Sequence, residues 1–240
     1  MPAHFDGSGV AIEEGRERML ESLQLIESLL SEDNCTYPGK YFQLSNLTLT
    51  PKPVQKPFST PRAAANSRET FELMAKLGYP VFAASHVNPF SMLKDLITIY
   101  KQEFVGSGHN TSTKNSVDLL CPIFVGSSSK AIKSDMQESL DKLKKVALEK
   151  ITPAVNEQSI PGLNEKIEYL KGMSFEQLNR DMTLFENPEM CVTRIEKLKN
   201  ELNIDRLLCR FNPRGKISHK KVMKAMKLFS EKVIPILMRL

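Results

Sequence analysis

The residues best placed to do chemistry in this chain sit in the stretch AAANSRET, residues 63–70. Asn66, Ser67 and Thr70 bring short polar side chains to the start of an apolar-periodic segment, and two readings fit them. In the first, Asn66 is an N-cap and Glu69, three residues on, completes a capping box. That local device is worth about 1 kcal/mol. In the second, the same helix start seats an anion such as a cofactor phosphate, because the first amides of a helix lack intrahelical partners and its dipole favours negative charge. Arg68 leans towards the second reading, since a cation in the first turn opposes the dipole unless an anion offsets it. Ala63, Ala64 and Ala65 lean the same way by keeping the preceding strand free of bulk, so a flat ligand can approach its backbone.

Other positions carry weaker signals. His86 and Asn88 follow the next strand and can face the same pocket, His86 as an acid, base or substrate donor, or simply as a surface residue. GSSSK, residues 126–130, offers hydroxyls but lacks the GxxxxGK[ST] pattern of a phosphate loop, and reads as a helix cap. His4, His109 and His219 have no sequence partner with metal-ligand spacing, and no GxSxG nucleophile motif occurs. No residue is assigned a catalytic role. The four cysteines form no CxxC pair, and Cys121 and Cys209 lie in apolar runs where a thiol behaves as a small hydrophobe.

The elements that must position these residues follow from periodicity. Met19, Leu20, Leu23, Ile26, Leu29 and Leu30 recur at helical spacing after an irregular opening dozen residues. TYPGKYFQL reads as a Pro-Gly turn between short extended pieces. Pro51, Pro53, Pro57 and Pro61 hold the next segment extended and superficial. Strands are then expected at 62–65, 80–84, 117–125 and 205–211. The helices between them are expected near 67–77 (closed by Gly78), 89–104, 129–150 and 188–202. A last helix should run from His219 to Leu237 with Val222, Met223, Met226, Phe229, Val233 and Leu237 buried. Residues 152–187, punctuated by Pro153 and Pro161-Gly162, read as an insertion with short helices near a pocket mouth. Strand–helix alternation predicts an α/β fold with a parallel sheet, whose strand C-termini build the site.

Bulk properties narrow the partners. The 240 residues hold 33 basic and 28 acidic side chains, 41% hydrophobic overall, an ordinary globular composition. The basic C-terminal third reads as a solvated helix face, so no nucleic-acid partner is expected. No apolar run approaches the roughly 18 residues of a membrane span, and the opening residues show no signal-peptide pattern. A cytoplasmic protein without membrane attachment is expected.

Four segments carry a family resemblance: FDGSGVAIEEGRERMLESLQLIESLL (5–30), YPGKYFQLSNLTLTPKPVQKPFSTPRAAANSRETFELMAKLGYPVF (37–82), LLCPIFVGSSSKA (119–131) and the terminal block from NPEM at 187 to IPIL at 237. In order and spacing they resemble the bacterial luciferase-like flavin monooxygenases. The resemblance implies a single (β/α) TIM-barrel type domain, with FMN or a deazaflavin coenzyme as cofactor. By position it lays Ala64 and Asn66 along the flavin and puts Ser67 and Thr70 on its phosphate. It further implies a flavin reductase that supplies reduced FMN, a small organic substrate, and a homo- or hetero-oligomer.

The departures set further expectations. Only about the last four of eight strand–helix units can be counted, which implies an incomplete barrel. Arg62 stands where relatives are bulky and apolar, and GSG replaces GFG near residue 8. The chain is thus expected to be a flavin-dependent monooxygenase in truncated or partner-completed form, or a non-catalytic flavin-binding or assembly partner; a degenerate remnant without ligand is the third reading.

Overall fold

A computed structural model describes residues 2–56, 60–109, 115–157 and 163–239. The chain divides into two compact units, Met1–Arg62 and Ala63–Leu240.

The first unit opens with a helix, α1 (Pro2–Ser8), where an irregular segment was expected. Gly9, at a φ of 65°, closes it, and the Val10 amide returns to the Phe5 carbonyl at 3.1 Å. The Phe5 ring lies where a Cβ on Gly15 would stand, so glycine there admits the ring against α2 (Gly15–Ser31). The Pro-Gly turn joins β1 (Cys35–Pro38) to β2 (Gln43–Leu47) in an antiparallel hairpin, as the sequence suggests. The Glu21 carboxylate of α2 accepts the amides of Lys40, Tyr41 and Phe42 at 3.2, 2.9 and 2.8 Å, which locks the turn onto the helix. The proline-rich segment that follows has no regular element among its described residues.

The second unit is an α/β layer built on a parallel sheet. Its elements are β3 (Ala63–Ala64), α3 (Arg68–Leu77), β4 (Val81–Ala84), α4 (Phe90–Gly106), β5 (Val117–Val125), α5 (Ser129–Glu157), α6 (Leu163–Gly172), α7 (Phe175–Met182), β6 (Leu184–Glu186), α8 (Pro188–Leu202), β7 (Arg206–Arg210) and α9 (His219–Leu228). A π turn (Phe229–Val233) then leads into α10 (Ile234–Leu237). The central strand is β5: β4 pairs with residues 117–120, β7 with 118–122 and β6 with 123–125. Because the first two ranges overlap, β4 and β7 flank β5 on opposite sides, with β3 beyond β4. No closed barrel forms among the described residues.

Two periodicities explain the core. Val81, Ala83, Val117, Leu119 and Cys121 alternate onto one sheet face and are fully buried. Phe71, Met74, Leu93, Ile97, Tyr100 and Phe104 form the buried stripes of α3 and α4. Tyr100 stacks edge-on to Phe71 at 6.3 Å, and its hydroxyl donates to the Tyr79 carbonyl at 3.0 Å. A second cluster, including Phe124, Ile132, Met136, Met182 and Phe185, gathers α5, α7 and β6 around the C-terminal end of β5.

The segment read as an insertion carries two short helices, α6 and α7, and a further strand, β6, which pairs with β5. Three residues are too few to show a period. On the last helix the buried residues are Ala225, Phe229 and Val233, whereas Met223 and Met226 are exposed. The π turn inserts an extra residue per turn at 229–233 and rotates the face that an uninterrupted 3.6-residue period predicts.

Candidate functional site

The C-terminal ends of β3, β4, β5 and β7 lead into loops 65–67, 85–89, 126–128 and 211–218. The first two are tied together. Asn88 is 1% exposed, and its Nδ2 donates to the Asn66 carbonyl at 2.9 Å. The Ala65 amide continues the ladder to the Phe82 carbonyl at 2.9 Å. Asn66 is therefore held by its backbone, and Asn88 ties the loop after β4 to the loop after β3.

The helix start differs from the capping-box reading. The N-cap is Ser67, one residue later than Asn66, in extended conformation (φ −125°, ψ 158°) and with no side-chain cap bond. Glu69 thus sits one position too early to close a box. The Ser67 carbonyl accepts the Thr70 and Phe71 amides at 3.1 Å each. The Ser67 and Thr70 hydroxyls lie 3.2 Å apart, Ser67 exposed and Thr70 half-buried. Ala64 is exposed one strand residue before the loop, so no side chain stands over the approach.

Arg68 also behaves differently from the expectation. Its Nε donates to Glu72 Oε1 at 2.7 Å, an i,i+4 pair, and this hydrogen bond holds the guanidinium pKa above its ordinary value. The anion that offsets Arg68 is therefore Glu72, and Arg68 no longer points to a ligand.

Of the remaining candidates, His109 and Ser128 have structural roles. His86 is half-buried in the turn after β4. Its neighbour Ser85, fully buried, donates to the Met182 carbonyl at 2.7 Å and ties β4 to the end of α7. His109 packs its ring 5.0 Å from Phe104, and Nε2 lies 2.8 Å from the Lys76 carbonyl. Ser128 caps α5, its Oγ accepting the Ala131 amide at 3.3 Å, as GSSSK suggests. His4 lies among residues whose side chains are not described. Burial pushes the Cys121 and Cys191 thiols up to about 12 and Cys209 up to about 11. These are packed, unreactive thiols.

An ion pair that the sequence does not show stands out near the end of β6. Arg194 on α8 meets Glu186 at 2.7 Å, both less than a fifth exposed, and also donates to the carbonyls of Asn179, Arg180 and Thr183. It borders a surface cleft of about 590 Å³ between the starts of α5 and α7, and a second cleft of about 610 Å³ lies between the ends of α4 and α8. Neither is lined by Ala64, Asn66, Ser67 or Thr70.

Comparison with known proteins gives three findings. A family model described as luciferase-like monooxygenase matches residues 1–205. No curated protein sequence matches. Among solved structures, the monooxygenase RslO1 from Streptomyces bottropensis is similar at 15% identity with a TM-score of 0.72, covering 99% of this chain and 66% of that one. The oxygenating constituent of 3,6-diketocamphane monooxygenase from Pseudomonas putida, in complex with FMN, gives 14% and 0.63 over 92% of this chain and 63% of that one. The coenzyme F420 dependent tetrahydromethanopterin reductase from Methanopyrus kandleri gives 16% and 0.63, covering 98% and 72%. This chain thus spans less than two thirds of the length of the two monooxygenases, and at these identities the likeness shows the fold.

Proposed function

Because the chain belongs to the luciferase-like monooxygenase family, matched over residues 1–205, we propose that it is a flavin-binding section of such a monooxygenase, with the phosphate of FMN seated at the start of α3. The observation that carries this reading is the pair of Ser67 and Thr70 hydroxyls, 3.2 Å apart at a helix start with no side-chain cap, beside the exposed Ala64. Two hydroxyl donors, first-turn amides and the positive end of a helix dipole fit a phosphate dianion. Ala64 and the Asn66 backbone would run beside the isoalloxazine or its ribityl chain, and Asn88 would hold that loop in place. When bound, reduced flavin supplies the electrons that activate oxygen for transfer to an organic substrate. The chain's own residues bind and orient; none is assigned a proton transfer. A deazaflavin coenzyme fits the same seat, and the FMN complex and the F420-dependent relative support both.

In this reading both units belong to one family domain, residues 152–187 are an insertion within it, and β3, β4, β5 and β7 are four strands of an eight-stranded barrel. A small organic substrate, a separate flavin reductase, a homo- or hetero-oligomer and a cytoplasmic location complete the proposal. The free cysteines support that location; among the described residues no helix is long and apolar enough to cross a membrane. The second reading, a non-catalytic flavin-binding or assembly partner, is favoured by the open sheet. Titration with FMN by flavin fluorescence, then oxygen uptake with chemically reduced FMN and a panel of organic substrates, tests both. Binding with substrate-dependent uptake supports the monooxygenase, binding without it supports the partner, and no binding refutes both.

A further inference from the structure

The register of the parallel ladder assigns side chains to faces. Ala64 pairs with Phe82, Phe82 with Asp118 and Asp118 with Arg206, which makes one row across the sheet. The next row towards the strand C-termini is Ala84, Leu120 and Leu208, and the row after it is Pro122 and Arg210. Side chains alternate along each strand, and residues in register on neighbouring strands point to the same side. All of these residues therefore share one face, opposite the buried Val81, Ala83, Leu119 and Cys121. The contact of Arg206 with Asp118 at 3.6 Å agrees with that placement. Much of this face is open: Ala64 and Leu208 are exposed, and Phe82, Ala84 and Leu120 are half-buried.

Two arginines and one aspartate stand in these rows, so one positive charge is left over. Asp118 is 3% exposed and meets Arg206. Arg210 lies one row beyond Leu208 at the C-terminal end of β7, half-buried, and its guanidinium makes no hydrogen bond or ion pair among the described residues. A guanidinium is a planar fork of donors that matches the two oxygens of a carboxylate. The carboxylate that this face supplies is taken by Arg206. Beside Arg210, the exposed Leu208 and half-buried Leu120 offer apolar surface whose removal from water is favourable. A ligand that answers both features has one anionic head and an apolar body. A polyanion would find only one unanswered cation in these rows, and a neutral molecule would leave the guanidinium without a partner.

We propose that Arg210 binds the carboxylate of a small organic monoanion whose apolar body lies on Leu208 and Leu120, and that it thereby selects the substrate. This deepens the monooxygenase reading and rests on it for one point, the course of the flavin along Ala64. Ala64 is on the same face, three strands from Arg210 and thus about 14 Å across the sheet. A head held at Arg210 therefore stays clear of the phosphate seat, while the body extends over β5 towards the flavin.

The test is calorimetric titration of the full chain with octanoate, octanamide and acetate. Octanoate is expected to bind about tenfold or more tightly than octanamide, which lacks the charge, and than acetate, which lacks the apolar body. Its lead over octanamide should shrink as salt rises. Arg210→Met should lower octanoate affinity by about tenfold or more, to the level of octanamide. Arg210→Lys should restore only part of the loss, since an ammonium keeps the charge but not the fork. Leu208→Asn should narrow the gap between octanoate and acetate, and all three variants should keep the unfolding midpoint of the wild type. No octanoate binding, octanamide binding as tightly as octanoate, or octanoate affinity unchanged in Arg210→Met would each overturn the proposal. So would an equal loss of FMN affinity in Arg210→Met, because Arg210 would then hold the flavin. FMN affinity is expected to be unchanged in that variant and to fall in Ser67→Ala with Thr70→Ala, whereas octanoate affinity should follow the reverse pattern. Failure of the carboxylate site and failure of the flavin seat are therefore read separately.

Discussion

Replacing Ser67 and Thr70 together by Ala separates a flavin-phosphate seat from a helix cap. A Ser that caps a helix costs about 1 kcal/mol when truncated, but Ser67 makes no cap bond, and among the described residues its hydroxyl meets only that of Thr70, at 3.2 Å. The stability cost of the double change should therefore stay within about 0.5 kcal/mol, as for surface substitutions generally. On a phosphate dianion the same hydroxyls act as donors to a charged group, worth about 1.5–3 kcal/mol each. Taking the lower figure for both, FMN affinity should fall by about 3 kcal/mol, roughly a hundredfold. Riboflavin, which lacks the phosphate, should bind wild type and variant alike. The assay is fluorescence titration with both ligands, paired with urea unfolding. Equal losses for FMN and riboflavin, or a stability loss near 1 kcal/mol with FMN affinity untouched, would refute the phosphate assignment.

Further outcomes are expected elsewhere. Asn88→Ala removes a buried donor from the Asn66 carbonyl and should cost about 1–3 kcal/mol in urea unfolding, with a loss of FMN affinity that Asn88→Asp does not restore, because a carboxylate cannot donate. Arg194→Ala takes the paired cation from Glu186, which keeps the Asn179 Nδ2 bond at 3.0 Å, and a donor from three carbonyls, and should cost about 3–5 kcal/mol, read from the unfolding midpoint. Gly78→Ala forces a φ of 76° on a residue with a Cβ, 2.9 Å from the His109 ring, and should lower stability by about 1–3 kcal/mol. For Cys121, Cys191 and Cys209 the unfolded thiols ionise near the ordinary value of 9, while the folded ones hold their protons to about 11–12. Their contribution to stability is intact below pH 9 and is lost as pH rises towards 12, so unfolding midpoints should fall through this window while a thiol reagent stays slow on the native chain.

Much of the fold is legible because local chemistry decides it. Pro188 starts α8 where the sequence places it, and Asn187 caps it through the Met190 amide at 3.0 Å. Gly78 takes the left-handed conformation that ends α3, and the apolar run 117–125 becomes the central strand. Elements that depend on distant partners stay hidden. β6 exists because Ile123–Val125 offers a free length of edge, and the π turn at 229–233 answers tertiary packing. In the site, the bond from Asn88 to Asn66 spans two loops and leaves no pattern. The pairing of Arg68 with Glu72 was legible as an i,i+4 pair, and it removes one reason for expecting a ligand there.

What still favours the seat at α3 is a contrast between the two ends of the sheet. At the N-terminal ends of the strands, polar groups are consumed by one another. The Asp205 carboxylate accepts the Val117 amide at 2.8 Å, Arg206 meets Asp118, and the Lys101 ammonium donates to the Asn203 carbonyl at 2.6 Å. Such groups hold the structure. At the C-terminal end of β3 the helix start has no side-chain cap, two hydroxyls meet only each other among the described residues, and a small exposed residue stands where a bulky one would seal the edge. Selection for stability alone favours an N-cap Ser that bonds into its helix, because that bond is worth about 1 kcal/mol and is available to any Ser in that position. A Ser that forgoes it, two strands from the most buried part of the sheet, is in the state a binding residue must keep: its hydroxyl remains available to a ligand that arrives later.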